Sequence, residues 1–252
     1  MTFRLSGLAM ATVAAALLFA LLQLAAERAG WISHDLPFAG ESVPFWALSF
    51  LAGWTLMTLA MTLPSLTPFL RAVDKAGGGG AAAAAALAVI AVWVAAGILF
   101  WALLWAAGGW LATLTPDGVE RLAAASLIAA AVYQVSPVAR GCQRLCAQPF
   151  AVLARHWRAG RWRWKGTVFA GLDYGLSCVG CCAPMIVVMF LVGMSDIRWT
   201  AALAAMMVVQ KQPVWGARLA WPWAALLAAA GAAIGLGWWT PSLMSLRALC
   251  GV

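Results

Sequence analysis

Residues 81–107 read AAAAAALAVIAVWVAAGILFWALLWAA, an apolar run without a charge or a proline. As a helix rising about 1.5 Å per residue, such a run crosses roughly 30 Å of hydrocarbon with residues to spare. Its six alanines from Ala81 read as the start of a close-packing helix. Six further apolar segments flank it, near 5–26, 45–63, 121–138, 167–193, 199–216 and 221–240. The whole chain agrees: 65% of its residues are hydrophobic, 10% are charged, and its mean hydropathy is +0.91. Soluble domains carry about half apolar and a quarter charged residues, so residues 1–252 are expected to form one all-α, polytopic helical membrane domain of about seven transmembrane helices.

The charge pattern predicts an orientation. With the N-terminus cytoplasmic, the inner joins collect Arg4, Arg71, Lys75, Arg140, Arg144, Arg155, Arg158, Arg161, Arg163, Lys165, Lys211 and Arg218. Only Arg28, Arg121, Arg198 and Arg247 fall outside. Lysine and arginine concentrate in cytoplasmic loops, so the C-terminus is expected outside, on the periplasmic side of a bacterial inner membrane. The segment from Arg4 to Ala26 reads as a retained span, because its apolar run exceeds the roughly 7–15 residues of a secretory signal core.

A net charge of +8 raises the question of nucleic acid, sharpened by RHWRAGRWRWK at residues 155–165. Tryptophan settles at headgroup depth and arginine pairs with anionic lipid phosphates, so the basic, Trp-rich join 139–166 predicts an anchor on the bilayer, and no nucleic acid. His156 belongs to that interfacial run, and His34 to an outer join. The run from Gly77 to Gly80 reads as a flexible join without chemistry.

Chemistry concentrates in GLDYGLSCVGCCAPMIVVMF, residues 171–190. Cys178, Cys182, Met185 and Met189 are spaced four, three and four, which sets them on one helix face, with Cys181 one step round. With hydrocarbon beginning near Thr167, Cys178 lies about 16 Å deep and Cys182 about 22 Å deep, near the bilayer centre. Pro184 cannot donate to the carbonyl of Gly180, which frees a backbone oxygen beside the thiols. A second pair, Cys142 and Cys146, is spaced i, i+4 and would share a face if the fourth helix runs on past Pro137; it is expected at the cytoplasmic surface. Met57 and Met61 form another i, i+4 sulfur pair. Thiols select Cu(I), zinc or iron–sulfur clusters, and thioethers in the second rank tilt the choice to Cu(I).

Two other readings fit the same residues. Gly171, Gly175, Cys178 and Cys182 form a stripe of small residues of the kind that brings helices close, with cysteine serving as a small apolar side chain. Cys178 to Cys181 is also a C-x-x-C, the spacing of thiol oxidoreductases, although the expected difference in depth separates it from Cys142 and Cys146. Asp173 is the acidic residue expected inside a span; its partner is Lys211 or a bound cation, or else the arginines at the interface.

The blocks WTLMTLAMTLPSLTPF, YQVSPVARGCQRLCAQPF, HWRAG, GLDYGLSCVGCCAPM, GMSDIRWTAALA and Gln210-Lys211 resemble a bacterial family of seven-span, predicted metal-binding integral membrane proteins. The resemblance covers about residues 46–218, and its most specific part is C-x-x-x-C followed by C-x-x-C-C. It implies Cys142, Cys146, Cys178, Cys181 and Cys182 as metal ligands. The chain departs from the family at Tyr174, where histidine is frequent, at Ala183 (tryptophan), at Arg140 (lysine) and at Gln210 (glutamate).

The functional expectation is therefore a membrane protein that binds a soft transition metal, Cu(I) before zinc or iron, for transport or delivery. Asp173, Met57, Met61, Met185, Met189 and Lys211 are its secondary ligands or charge partners. No G-x-x-x-x-G-K motif supplies a nucleotide site, and no residue pattern marks a catalytic centre. The alternatives are a non-catalytic accessory subunit packed among other subunits of a membrane complex, and a thiol–disulfide oxidoreductase.

Overall fold

The computed structural model describes residues 7–31, 43–156, 163–192, 197–211 and 216–239, and among these the regular structure is entirely helical. In chain order the helices are α1 (Gly7–Arg28), α2 (Val43–Gly77), α3 (Gly79–Leu111), α4 (Pro116–Gln134), α5 (Pro137–Ala147), α6 (Pro149–His156), α7 (Arg163–Val192), α8 (Ile197–Gln210) and α9 (Gly216–Gly235). Five of them, α1, α2, α3, α7 and α9, are long and apolar enough to cross a membrane, and α4 with α5 makes a sixth if the bent pair counts as one span. His34, Arg158, Arg161 and Cys250 lie outside the described residues.

Burial runs inside out relative to a soluble protein. Leu17, Leu21, Leu87, Leu99 and Leu103 are exposed on the outer faces of α1 and α3, whereas Thr58, Thr62, Ser65, Gln134 and Gln143 are buried. A continuous exposed apolar surface of this kind suits lipid rather than water. The interior is built by pairing α4 with α9, α3 with α7, and α2 with α1 and α3. Thr12 on α1 and Thr67 on α2 share a hydrogen bond of 2.8 Å, and Trp54 on α2 donates to the carbonyl of Trp93 on α3 at 2.8 Å.

Three boundaries differ from the sequence expectation. The second segment was expected over 45–63, but α2 continues through Pro64 and Pro68 to Gly77. Pro64 and Pro68 cannot donate to the carbonyls of Ala60 and Pro64, while the Thr62 and Ser65 hydroxyls donate to the neighbouring carbonyls of Thr58 and Thr62 at 2.6 and 2.8 Å. Gly78, at φ 78°, then turns the chain into α3, a conformation that side chains disfavour.

The fourth segment does not run past Pro137. The proline disfavours helical geometry at Ser136, which is extended at φ −67°, ψ 156°, and the serine hydroxyl caps the new helix by accepting from the N–H of Ala139 at 3.1 Å. The result is a bend of 61° between α4 and α5. The sixth segment, expected over 199–216, holds among the described residues a helix of 14, about 21 Å long and too short to cross the hydrocarbon. Lys211, just past its end, reaches Cys178 in the middle of α7, so α8 extends only to the level of the cysteines.

The small-residue stripe is used at its lower end. A methyl group on Gly171 would stand 2.7 Å from the backbone oxygen of Ala85 and 2.8 Å from Ala88 Cβ, and one on Gly175 would stand 3.0 Å from Val92. Close approach of α7 to α3 therefore requires glycine at 171. Gly171→Val is expected to cost roughly 1–3 kcal/mol by overpacking against a backbone that cannot retreat. Gly109→Ala, with nothing within 4 Å of the added carbon, is the control. Thermal unfolding in detergent should show a lowered Tm for the first and an unchanged one for the second; equal values would mean that α3 and α7 separate without loss.

Candidate functional site

The bend after Gln134 folds α5 back against α7, and this brings the two cysteine groups together. Cys146 Sγ on α5 lies 3.7 Å from Cys181 Sγ on α7, and Cys181 Sγ lies 3.6 Å from Cys182 Sγ. Cys181 also donates to the carbonyl of Cys178 at 3.2 Å. Cys146, Cys178, Cys181 and Cys182 are buried, Cys142 is half-buried, and all five are free thiols. The expected separation in depth between the pairs is thus overturned: it assumed a straight fourth helix, and the Ser136–Pro137 restart removes that assumption.

Gly180 and its carbonyl hold the two helices in register. Pro184 lies inside α7 and cannot donate to that carbonyl, and Tyr133 at the end of α4 supplies the missing bond, its hydroxyl donating at 2.9 Å. A methyl group on Gly180 would stand 2.7 Å from Cys142 Sγ, which locates that thiol directly over the glycine. Tyr174 donates to the carbonyl of Cys146 at 3.3 Å and stacks on Phe69 with centroids 4.3 Å apart. The family's histidine position is therefore filled by a phenol that fixes α5 from below.

Lys211 closes the other side. Its ammonium donates to Ser65 Oγ at 2.8 Å and to Cys178 Sγ at 3.1 Å, and lies 5.9 Å from the centre of the Tyr174 ring. The expectation that Asp173 partners Lys211 or joins the metal site is corrected. Asp173 Oδ2 lies 3.0 Å from His156 Nε2 and 3.6 Å from an Arg155 guanidinium nitrogen, at the end of α6. Asp173 thus pairs with basic side chains of α6, and His156 is its half-buried partner. Met57, Met61, Met185 and Met189 are buried and line one space with Cys182.

Among the described residues no three His, Cys, Asp or Glu side chains already surround a common point as in a formed metal site. The donor set nevertheless fits a soft ion in chemistry and in spacing. With zinc's metal–sulfur bond of about 2.3 Å as a guide, sulfurs stand about 3.8 Å apart in a tetrahedron and about 4.0 Å apart in a trigonal plane. The observed 3.6 and 3.7 Å need only small thiol rotations to reach those edges.

Long apolar helices compatible with multi-pass membrane insertion, gathered around a cluster of buried thiols, define the class: a helical membrane-type protein with a soft-metal donor set. Residues 51–234 match the family model of PpoB2, described as a copper chaperone, and the chain belongs to that family. The match is consistent with the metal-binding resemblance in the sequence and supports a copper-related function. No curated protein and no solved structure matched the chain.

Proposed function

We propose that this protein is a Cu(I)-binding protein of the bacterial inner membrane, N-terminus cytoplasmic and C-terminus outside, which holds the ion between α5 and α7 and delivers it to an acceptor. Cys146, Cys178, Cys181 and Cys182 are its ligands, and Cys142, half-buried on the preceding turn of α5, is the thiol through which the ion enters. The observation that carries this reading is the 3.7 Å approach of Cys146 to Cys181, which unites thiols 35 residues apart beside a half-buried ammonium. Thiolates prefer Cu(I), zinc and iron among the common metals, and the family's copper description selects among them. The exposed Trp164 and Lys165, 5.8 Å from ring centre to ammonium, support an anchor on anionic headgroups along 155–165.

Protein purified in detergent without oxygen, loaded with Cu(I) and desalted, should retain copper stoichiometrically by mass spectrometry, with only sulfur neighbours in X-ray absorption. Copper lost on desalting, or a shell of nitrogen and oxygen, would sink the proposal. The same closeness of Cys146 and Cys181 gives the oxidoreductase reading its one support. A disulfide between them in protein alkylated at harvest, together with no retained copper, would put that reading first.

A further inference from the structure

We propose that a methionine-lined cavity beyond Cys182 is a second soft-metal site, which takes a monovalent ion of the Cu(I) and Ag(I) class through thioethers. The proposal rests on the Cu(I) reading of the thiols and adds a site in series with them. The cavity, of about 20 Å³, is walled by Met57 and Met61 from α2, Met185 and Met189 from α7, Met207 from α8, and Cys182. Three helices thus contribute thioethers to one space. Cys182 belongs to both sites, since its sulfur lies 3.6 Å from Cys181 while its side chain forms part of the cavity wall.

Methionine in a core ordinarily serves to fill irregular gaps, because three rotatable bonds let it adapt. Here five of these adaptable side chains surround a space and leave it open. The space exceeds the roughly 10–15 Å³ that one water occupies, yet a held water needs about two to four polar partners. The wall facing the space is apolar, so it offers a water no such partners. Uncharged, polarizable sulfur suits a monovalent soft cation and discriminates against zinc, calcium and magnesium. Thioethers bring no negative charge, so an ion passing Cys182 moves from thiolates to neutral, weaker ligands. That is the order needed for release towards the far end of α7.

Ag(I), the redox-inert analogue, tests this on the full chain in detergent, labelled with ¹³C at the methionine methyls. Between one and two equivalents of silver, five methyl resonances should shift. These are the signals removed by Met→Leu substitution at 57, 61, 185, 189 and 207, while Met1, Met10, Met194, Met206 and Met244 stay in place. Methionine to leucine conserves volume, so Met57→Leu/Met61→Leu/Met207→Leu should fold and bind one equivalent instead of two, with the ultraviolet thiolate–metal band unchanged. Should the triple variant lose its fold, Met207→Leu alone is expected to weaken the second equivalent at least tenfold. Silver held at one equivalent with that band and motionless methyls would overturn this site and leave the thiol site standing. Methyl shifts without the band would retain the cavity and overturn the thiols. No bound silver would overturn both.

Discussion

Cys181→Ser is expected to weaken Cu(I) binding by two to three orders of magnitude while leaving the fold intact. Cys181 Sγ touches two other thiols, Cys146 at 3.7 Å across the α5–α7 contact and Cys182 at 3.6 Å along α7, and Cys178 is hydrogen-bonded within the same cluster. It therefore joins the thiol of α5 to those of α7 through sulfur. Thiolate-rich metal sites bind with about 10–16 kcal/mol; divided among four ligands that is about 2.5–4 kcal/mol each, or two to three powers of ten. Serine keeps the size and the local hydrogen bond to the Cys178 carbonyl but offers a hard oxygen that a soft ion rejects. Competition with a chromophoric Cu(I) chelator measures the loss. Cys142→Ser is the comparison, since that thiol is half-buried over Gly180 and should cost less. Parental affinity in Cys181→Ser would mean that the thiols pack and do not ligate.

What could be read from the sequence was whatever depends on neighbours along the chain. The uncharged run at 81–107 becomes α3, and the thiol line from Cys178 to Cys182 becomes one buried stretch of α7. The carbonyl of Gly180 was expected to be free because of Pro184, and it is indeed the one that Tyr133 seeks out. The failures have physical reasons. The second segment was expected to end at 63, before Pro64 and Pro68, but α2 continues through both because Leu66, Phe69, Leu70 and Val73 are buried beyond them. Ser136 and Pro137 form a cap and first-turn pair that marks a helix restart, and this local signal was outweighed by the continuous apolar pattern across it. Once α5 bends back, Cys146 meets Cys181, a contact that no local pattern encodes. Lys211 and Asp173 were natural partners by charge alone, yet they lie at different levels, where Cys178 and His156 take their places. Met207 gave no signal, since an Ala-Met-Met in an alanine-rich helix looks like any other packing residue.

Lys211→Met should lower Cu(I) affinity by about two orders of magnitude or more, through charge alone. One Cu(I) ion on four thiolates leaves a net charge of −3 in a site walled by apolar side chains. The Lys211 ammonium is the cation at hand, 3.1 Å from Cys178 Sγ and held there by Ser65 at 2.8 Å. Leaving one member of a buried ion pair uncompensated costs roughly 3–5 kcal/mol, which sets the expected loss at about a hundredfold to a few thousandfold. Methionine fills similar volume, so the helices should stay packed, and an unchanged Tm would confirm that the loss is electrostatic. Lys211→Arg keeps the charge and should recover part of the affinity, since a planar guanidinium differs in size and donor geometry from the ammonium that bonds Ser65 and Cys178. If Lys211→Met binds Cu(I) as tightly as the parent while Lys211→Arg lowers stability, the ammonium is a tether for the end of α8 and takes no part in holding the ion. The two variants together separate charge balance from packing, because only the first predicts that affinity and Tm move independently.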